Sequence, residues 1–369
     1  MLKKTTLLTL LFSFVFSIAN ASAPATSEDH SEKENSGSYN PVPMIMHHIA
    51  DAHEIHFWGK GENSVSIPLP IILWTDNGLV AFMNSEFHHN DDGGTIVERE
   101  GVKFTKSHGK IYYANETADS HGSYITHDEE GHSKNAKPLD FSITKSVVGI
   151  FLTMIILLLV FTSVARSYKK NGGVPRKLTG WMEPLVVFVR DDIAKANIGE
   201  AKYKKYVPFL LSIFFFILVL NILGLTPLGF NVTGNIAVTL VLAVISLIVT
   251  LISANKNYWG HIFNPPVPVL LKPLMIPIEI VGIFTKPFAL MIRLFANITA
   301  GHIVILSLIS LIFIAEAGSG AGTAWGISPA AFALTLFIFV LEVLVAFLQA
   351  YIFTLLTGLF IGMSVEEHH

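Results

Sequence analysis

The chain has no cysteine among its 369 residues. A disulfide framework, a thiolate nucleophile and a thiolate metal site are therefore excluded. Charge is also scarce: Asp, Glu, Lys and Arg make up 14% of the chain, against 51% hydrophobic residues. Soluble domains carry about 25% charged residues. With a mean hydropathy of +0.54, the composition points to a membrane protein. There is no His-Glu-x-x-His, the helical signature of many zinc proteases. Nor is there an internal repeat of the kind many secondary transporters show. The net charge of −3 conceals a strong asymmetry along the chain.

Lys3 and Lys4 precede an apolar run from Leu7 to Ile18, followed by Ala19-Asn20-Ala21. A basic start, a short apolar core and a small-x-small end read as a signal peptide over 1–21. Ala21-Ser22-Ala23 is a competing cleavage site, and an uncleaved anchor is the alternative, though about 12 apolar residues are few for a bilayer span. Residues 22–140 are polar and hold 11 of the 15 histidines. To about Tyr39 the composition is that of a disordered segment. Beyond it, β-formers at Val65–Trp74 and Val102–Tyr113 predict a small, partly β domain, with turns at Asp76-Asn77-Gly78 and Asp92-Gly93-Gly94. His47, His48, His53, His56, His88 and His89 invite a metal reading, and His53-x-x-His56 would suit one helix face. No carboxylate or cysteine set follows at ligand spacing. A solvated histidine-rich segment is the simpler reading, and no metal or other cofactor is expected.

The remainder, 141–369, reads as an all-α integral membrane domain of about five helices, with spans near 143–165, 207–225, 236–253, 265–315 and 329–364. Arg166, Lys169, Lys170, Arg176 and Lys177 follow the first span. The positive-inside rule makes that loop cytoplasmic and the N-terminal domain extracytoplasmic. In 180–206, Trp181, Leu185, Phe188 and Val189 alternate with Glu183, Arg190, Asp191, Asp192 and Lys195, the pattern of an amphipathic helix lying on the membrane. Asn221, in the second span, reads as a capping or packing residue. The last two spans are too long to stand upright. Pro265 to Ala315 would measure about 75 Å as a helix against about 30 Å of hydrocarbon, and Pro273, Pro277 and Pro287 supply kink sites. The uncharged loop Gly318–Gly326 joins them into a tilted hairpin.

Inside the fourth span stands Arg293. A charge at membrane depth costs about 2.5–3.5 kcal/mol on the insertion scale and marks a functional site by default. Snorkelling to the interface is the bland reading, but Arg293 has apolar helix on both sides. Asn297, Ala300 and Gly301 follow at four, seven and eight residues, on the arginine's side, so that this face is narrow and open to close approach. His302, nine residues on, points half a turn away. Lys272, Glu279, Lys286 and Arg293 recur every seven residues, each within about 20° of the last. Glu342 and Gln349, in the fifth span, share a face in the same way. Glu342 is costly in lipid unless paired, and His302 is its natural partner.

Arg293-Leu294-Phe295-Ala296-Asn297-x-x-Ala300-Gly301-His302 resembles the membrane-embedded helix of the subunit a family of F-type ATP synthases. The resemblance covers roughly 143–363, and includes Asn221-x-x-Gly224-x-x-Pro227 and the run from Glu342 to Gln349-Ala350-Tyr351-Ile352-Phe353. It implies a stator subunit with no catalytic activity of its own, passing protons through two half-channels to and from the carboxylates of a c-ring. Arg293 would face the ring; His302, Glu342, Asn297 and Gln349 would line the entry, and Glu279 the exit. In many family members a carboxylate stands where His302 is and a histidine where Glu342 is, so this chain carries the pair exchanged. The implied partners are c-ring proteolipids, b-type peripheral stalk subunits, the rest of the synthase and the lipid bilayer, with no nucleic acid. The implied location is a bacterial inner membrane, the N-terminal domain periplasmic and the C-terminus cytoplasmic. A secondary transporter using Arg293 to bind an anionic substrate is the alternative, and a membrane enzyme using the histidines a more distant one. Because the conducting motifs all follow Asp140, the N-terminal domain is expected to be dispensable for conduction.

Overall fold

The computed structural model describes residues 39–366, apart from 59–64, 120–121, 128–132, 171, 173, 176–177, 227–228 and 266. The expected signal peptide lies outside the described residues. The chain forms two compact units: Met1–Gly149 with Leu223–Ala237 and Gly301–Phe339, and Ile150–Ile222 with Val238–Ala300 and Val340–His369.

In the first unit, helix α1 (Val42–Ile49) leads into eight strands. Strands β1 (Glu54–Trp58) and β2 (Val65–Pro68) pair with each other. Strands β3 (Pro70–Thr75), β4 (Gly78–Met83) and β8 (Leu139–Asp140) form a second sheet, ordered β4-β3-β8. Strands β5 (Asp92–Arg99), β6 (Val102–Ser107) and β7 (Lys110–Tyr113) form a meander. All pairings are antiparallel. Alternation sends Ile71, Leu73, Val80 and Phe82 inward to meet Val97, Phe104 and Ile111 of the meander. Aromatic contacts set the spacing, Phe82 to Phe104 at 5.9 Å and Phe104 to Tyr113 at 5.7 Å between centroids. Burial of such side chains stabilises a small domain by about 1.5–3 kcal/mol each.

Asp76-Asn77 closes the β3–β4 hairpin between Thr75 and Gly78, as the turn signal predicts. Asp92-Gly93-Gly94 is not a turn. It opens β5, where the register with β6 slips between Asp92 and Ile96. Gly93 has φ +79°, and a Cβ there would lie 2.6 Å from Ser123 Oγ, so glycine permits a bulge rather than a reversal. The His53-x-x-His56 spacing falls at strand β1 and not on a helix. Buried His53 instead meets Asp140 at 3.4 Å. Among the described residues no three metal-ligating side chains converge.

Among the described residues, five helices are long and apolar enough to cross a membrane: α2 (Lys145–Lys170), α4 (Tyr203–Gly224), α5 (Ile236–Ser253), α7 (Lys272–Ser319) and α8 (Ala321–Val365). Some of their hydroxyls turn back onto the preceding turn: Thr162 donates to Leu158 O at 2.6 Å and Ser212 to Pro208 O at 2.7 Å. That satisfies a polar group where lipid cannot. Between α2 and α4 the chain is less regular than one amphipathic helix. Helix α3 (Leu178–Phe188) passes into a π-helix, Val189–Lys195, and a last turn, Ala196–Ile198. Gly199 breaks it at φ +86°, so 203–206 belong to α4. Trp181 is 83% exposed, while Val189, Ile193 and Ala194 are fully buried. Helix α6 (Lys256–Phe263) precedes α7, which runs on through Pro277 and Pro287. The expected loop Gly318–Gly326 shrinks to Gly320, at φ +82° the single residue between α7 and α8.

The C-terminal end of α8 is fixed by polar groups of the second unit. Lys202 Nζ and Asn255 Nδ2 donate to Val365 O at 2.9 and 2.8 Å, satisfying a carbonyl that the helix leaves open. A Cβ on Gly362 would run into the Asn197 carbonyl, and one on Gly358 would touch Ile193 at 3.3 Å. Gly362→Ala is expected to lower stability by about 1–3 kcal/mol through overpacking. Gly282→Ala, in α7 with open space at its Cβ, is expected to be neutral or up to about 1 kcal/mol stabilising. Thermal unfolding of the purified chain in detergent checks both.

The Asp140 carboxyl yields an acid test. Burial alone would raise it, but the bond and charge of His53 and the two bonds from Ser142 together hold it below the ordinary carboxylate value. A carboxyl depressed by folding adds stability that is full above its unfolded value, about 4, and is lost as pH falls through the folded one. The β3–β8 pairing is therefore expected to loosen below about pH 4, and Asp140→Asn to remove that dependence. Amide exchange of β3 across an acid titration measures both.

Candidate functional site

Helix α7 buries one stripe within the second unit, where Ile283, Leu290, Leu294 and Ile298 are 8%, 2%, 1% and 4% exposed. Its opposite face is open, and Arg293 stands on it among exposed Ala289, Ala296, Asn297 and Ala300. These neighbours lie at −4, +3, +4 and +7, one helical face. None of the ion pairs among the described residues includes Arg293. The guanidinium thus projects from a narrow shelf of small side chains.

The other members of the seven-residue stripe each meet something different. Lys272 donates to Asn264 Oδ1. Glu279 lies beside Tyr258 of α6, whose phenol is pushed up, first by burial and then by the carboxylate's charge. Lys286 stacks its ammonium 5.3 Å from the Phe360 ring of α8. Lys286 and Tyr258 also line a cavity of about 10 Å³, closed further by Ser246 and Thr250 of α5 and by apolar Ile283, Leu290 and Phe360. Such a volume holds about one water. Thr357 Oγ1 lies 3.4 Å from Ser246 Oγ, extending the polar lining onto α8.

On α8, Gln349 is 3% exposed between fully buried Ala346 and Ala350. Asn221 of α4, also fully buried, donates Nδ2 to the Ala346 carbonyl at 3.2 Å. The packing role read for Asn221 fits that bond. Glu342 is half-buried, one seven-residue step from Gln349. The second unit accordingly brings Glu279, Arg293, Asn297, Glu342 and Gln349 into one body, while His302 belongs to the first.

In the first unit, His302 Nε2 lies 3.0 Å from the Gly224 carbonyl. A carbonyl only accepts, so the His302 Nε2–H donates to it. The ring lies against Gly224, where a Cβ would make ordinary contact, 4.0 Å from His302 Cε1 and 3.4 Å from Phe230 O.

The residues beyond the sequence reading are Ser246, Thr250, Thr357, Tyr258 and the Gly224 carbonyl. Single hydroxyls in apolar helices carry no periodic signal, and a backbone acceptor carries none at all. The Asn221-x-x-Gly224 spacing, three residues before the hairpin turn, is the one mark that sequence offers for Gly224.

A family model described as ATP synthase A chain matches residues 147–362, and another, described as a domain of unknown function, matches 44–141. The chain is 48% identical over 238 residues to a protein named ATP synthase subunit a of Chloroherpeton thalassium, covering 62% of this chain and 69% of the relative. It is 49% identical over 238 residues to the protein of the same name from Chlorobium phaeobacteroides strain BS1, covering 62% and 68%. Similarity to the subunit a of Anaeromyxobacter sp. strain Fw109-5 is 44% over 259 residues, covering 68% of this chain and 61% of the relative.

Proposed function

This chain belongs to the ATP synthase A chain family, the proton-translocating stator subunit of the synthase, and from that premise we propose how its residues move the proton. The observation that carries the proposal is the exposure of Arg293 on a small-residue face of an apolar, 48-residue helix. Lipid makes such a face costly, whereas a passing carboxylate makes it favourable. The partner is a ring of c-type proteolipids, each bringing one carboxylate past Arg293, with b-type stalk subunits holding this chain against the rest of the synthase. Arg293 keeps its own charge and does not relay protons. It lowers the pKa of a carboxylate that approaches it, so that the carboxylate gives up its proton. The same fixed charge repels a proton moving directly between the two half-channels.

Protons enter from the periplasmic side by way of His302 and Glu342, with Asn297 and Gln349 nearer the arginine, and reach the ring. They leave toward the cytoplasm past Glu279, and the cavity among Tyr258, Lys286, Ser246 and Thr250 gives a water a place on that route. Helices of 48 and 45 residues are about 72 and 68 Å long against about 30 Å of hydrocarbon, which supports a strongly inclined hairpin beside the ring. The membrane is a bacterial inner membrane, with residues 22–140 a periplasmic domain, 141–369 the membrane domain and the C-terminus cytoplasmic. The exposed Trp181 suits an interfacial position for α3. A secondary transporter binding an anion at Arg293 is not favoured, since the family and its relatives are synthase subunits.

Arg293→Ala is expected to cut ATP-driven proton pumping by vesicles of assembled enzyme at least about 100-fold, roughly 2.7 kcal/mol. Arg293→Lys is expected to assemble but couple poorly, because an ammonium lacks the planar fork and loses its proton when desolvated. Pumping at the wild-type rate in the alanine variant would refute the role.

His302→Ala and Glu342→Gln are each expected to slow proton flux. The double change is expected to cost less than the two single costs added, with a coupling of about 0.5–3 kcal/mol. The reciprocal swap, His302→Glu with Glu342→His, is expected to recover part of the flux. Strict additivity with no recovery would make the two residues separate sites.

A further inference from the structure

The N-terminal domain is tied to the membrane helices of its own unit by polar contacts that converge on one carboxylate. Asp51 follows α1 in the chain. Its Oδ1 accepts the backbone N–H of Ser146 at 3.0 Å, in the first turn of α2. Its Oδ2 accepts Nδ2 of Asn235 at 3.3 Å. Asn235 in turn accepts the N–H of Ala237 at 2.9 Å, which makes it the cap of α5, beginning at Ile236. One side chain of the N-terminal domain therefore caps α2 directly and orients the cap of α5. Side-chain caps and a negative charge at a helix start are both stabilising.

Beside it, Lys145 Nζ donates to His48 O at 3.2 Å, and Asn231 Nδ2 to Ile49 O at 3.4 Å. The first ties α2, and the second the loop between α4 and α5, to the N-terminal domain. The loop is not a surface connection: Phe230, Val232 and Thr233 are 3%, 0% and 1% exposed. Its fit is close, since a Cβ on Gly149 would lie 2.6 Å from Val232 Cγ2. The loop also begins at Gly224, whose carbonyl receives the His302 Nε2–H. The loop is thus held at one end by Asp51 and holds His302 at the other.

We infer that Asp51 is a positioning residue for His302, and that the N-terminal domain is part of the proton entry rather than an appendage. By fixing the caps of α2 and α5, Asp51 sets the loop, and the loop sets the carbonyl that selects the His302 tautomer. A relay histidine in the wrong tautomer or displaced by an ångström loses rate steeply. This runs against the dispensability that motif positions alone suggest. It rests on the reading of His302 as a relay, so the test separates the two.

The experiment uses assembled enzyme in vesicles, reading ATP-driven proton pumping together with nitrogen-15 spectra of histidine-labelled protein, in which His302 is identified by its loss in His302→Ala. Asp51→Asn keeps an acceptor for Ser146 but opposes one amide donor with another at Asn235. It is expected to reduce the Nε2–H form of His302 and to slow pumping about tenfold. The swap Asp51→Asn with Asn235→Asp restores a donor and acceptor across the same gap, and is expected to return both readouts to near wild type. Asp51→Glu, which keeps the charge and both acceptors, is expected to fall between. A changed His302 spectrum with undiminished pumping supports the positioning and counts against His302 as a relay. An unchanged His302 spectrum in both Asp51→Asn and Asp51→Glu enzyme overturns the inference, whatever the flux.

Discussion

Hydrocarbon offers no hydrogen bonds, and the membrane helices of this protein are arranged around that constraint. Several hydroxyls are turned back onto their own helices, as with Thr285 to Val281 O at 2.9 Å and Thr354 to Ala350 O at 2.8 Å. The Asn221 amide finds the Ala346 carbonyl, His302 finds Gly224, and the last carbonyls of α8 find Lys202 and Asn255. Each is a modest contribution, about 0.5–1.5 kcal/mol net, but leaving any of them unmade would cost more. Against this background Arg293 stands out as a strong polar group turned away from its own unit.

The seven-residue stripe puts four ionic side chains on one helix and gives each a different environment. Lys272 is held by an amide, Glu279 lies near a phenol, Lys286 over an aromatic face, and Arg293 enters none of the ion pairs among the described residues. A cation over an aromatic ring gains about 0.5–2 kcal/mol. That contact gives Lys286 a resting place away from Arg293, so the stripe keeps its charges apart instead of pooling them. Graded polarity along one helix edge follows from a period of seven against a turn of 3.6.

Much of this was legible in the sequence, because long apolar runs and a solitary arginine are strong signals. The five membrane-capable helices, the β-formers around Ile71 and Phe104 and the hairpin turn at Asp76-Asn77 all follow from local pattern. The misreadings have local causes too. Gly93 and Gly94 carry turn chemistry, but Ser123 packed over Gly93 makes a bulge of it. The stretch 180–206 has a continuous amphipathic pattern, and its break depends on the single positive φ of Gly199. Gly320 alone forms the α7–α8 connection, although several glycines nearby suggested a longer loop. Asp51 was invisible as a helix cap, since its partners Ser146, in the first turn of α2, and Asn235, the cap of α5, lie 95 and 184 residues further on. Tertiary capping of this kind leaves no spacing to read.

The open shelf around Arg293 also bears on biogenesis. A copy inserted ahead of its ring leaves a guanidinium facing acyl chains, about 2.5–3.5 kcal/mol uphill on the insertion scale, and water or headgroups are drawn in to meet it. Such a chain is an orphan with a local membrane defect, the kind of lesion that surveillance proteases act upon. Under the proposed function, a carboxylate brought opposite Arg293 would remove that defect, so the solvation of this one face would couple the insertion of the chain to the arrival of its partner.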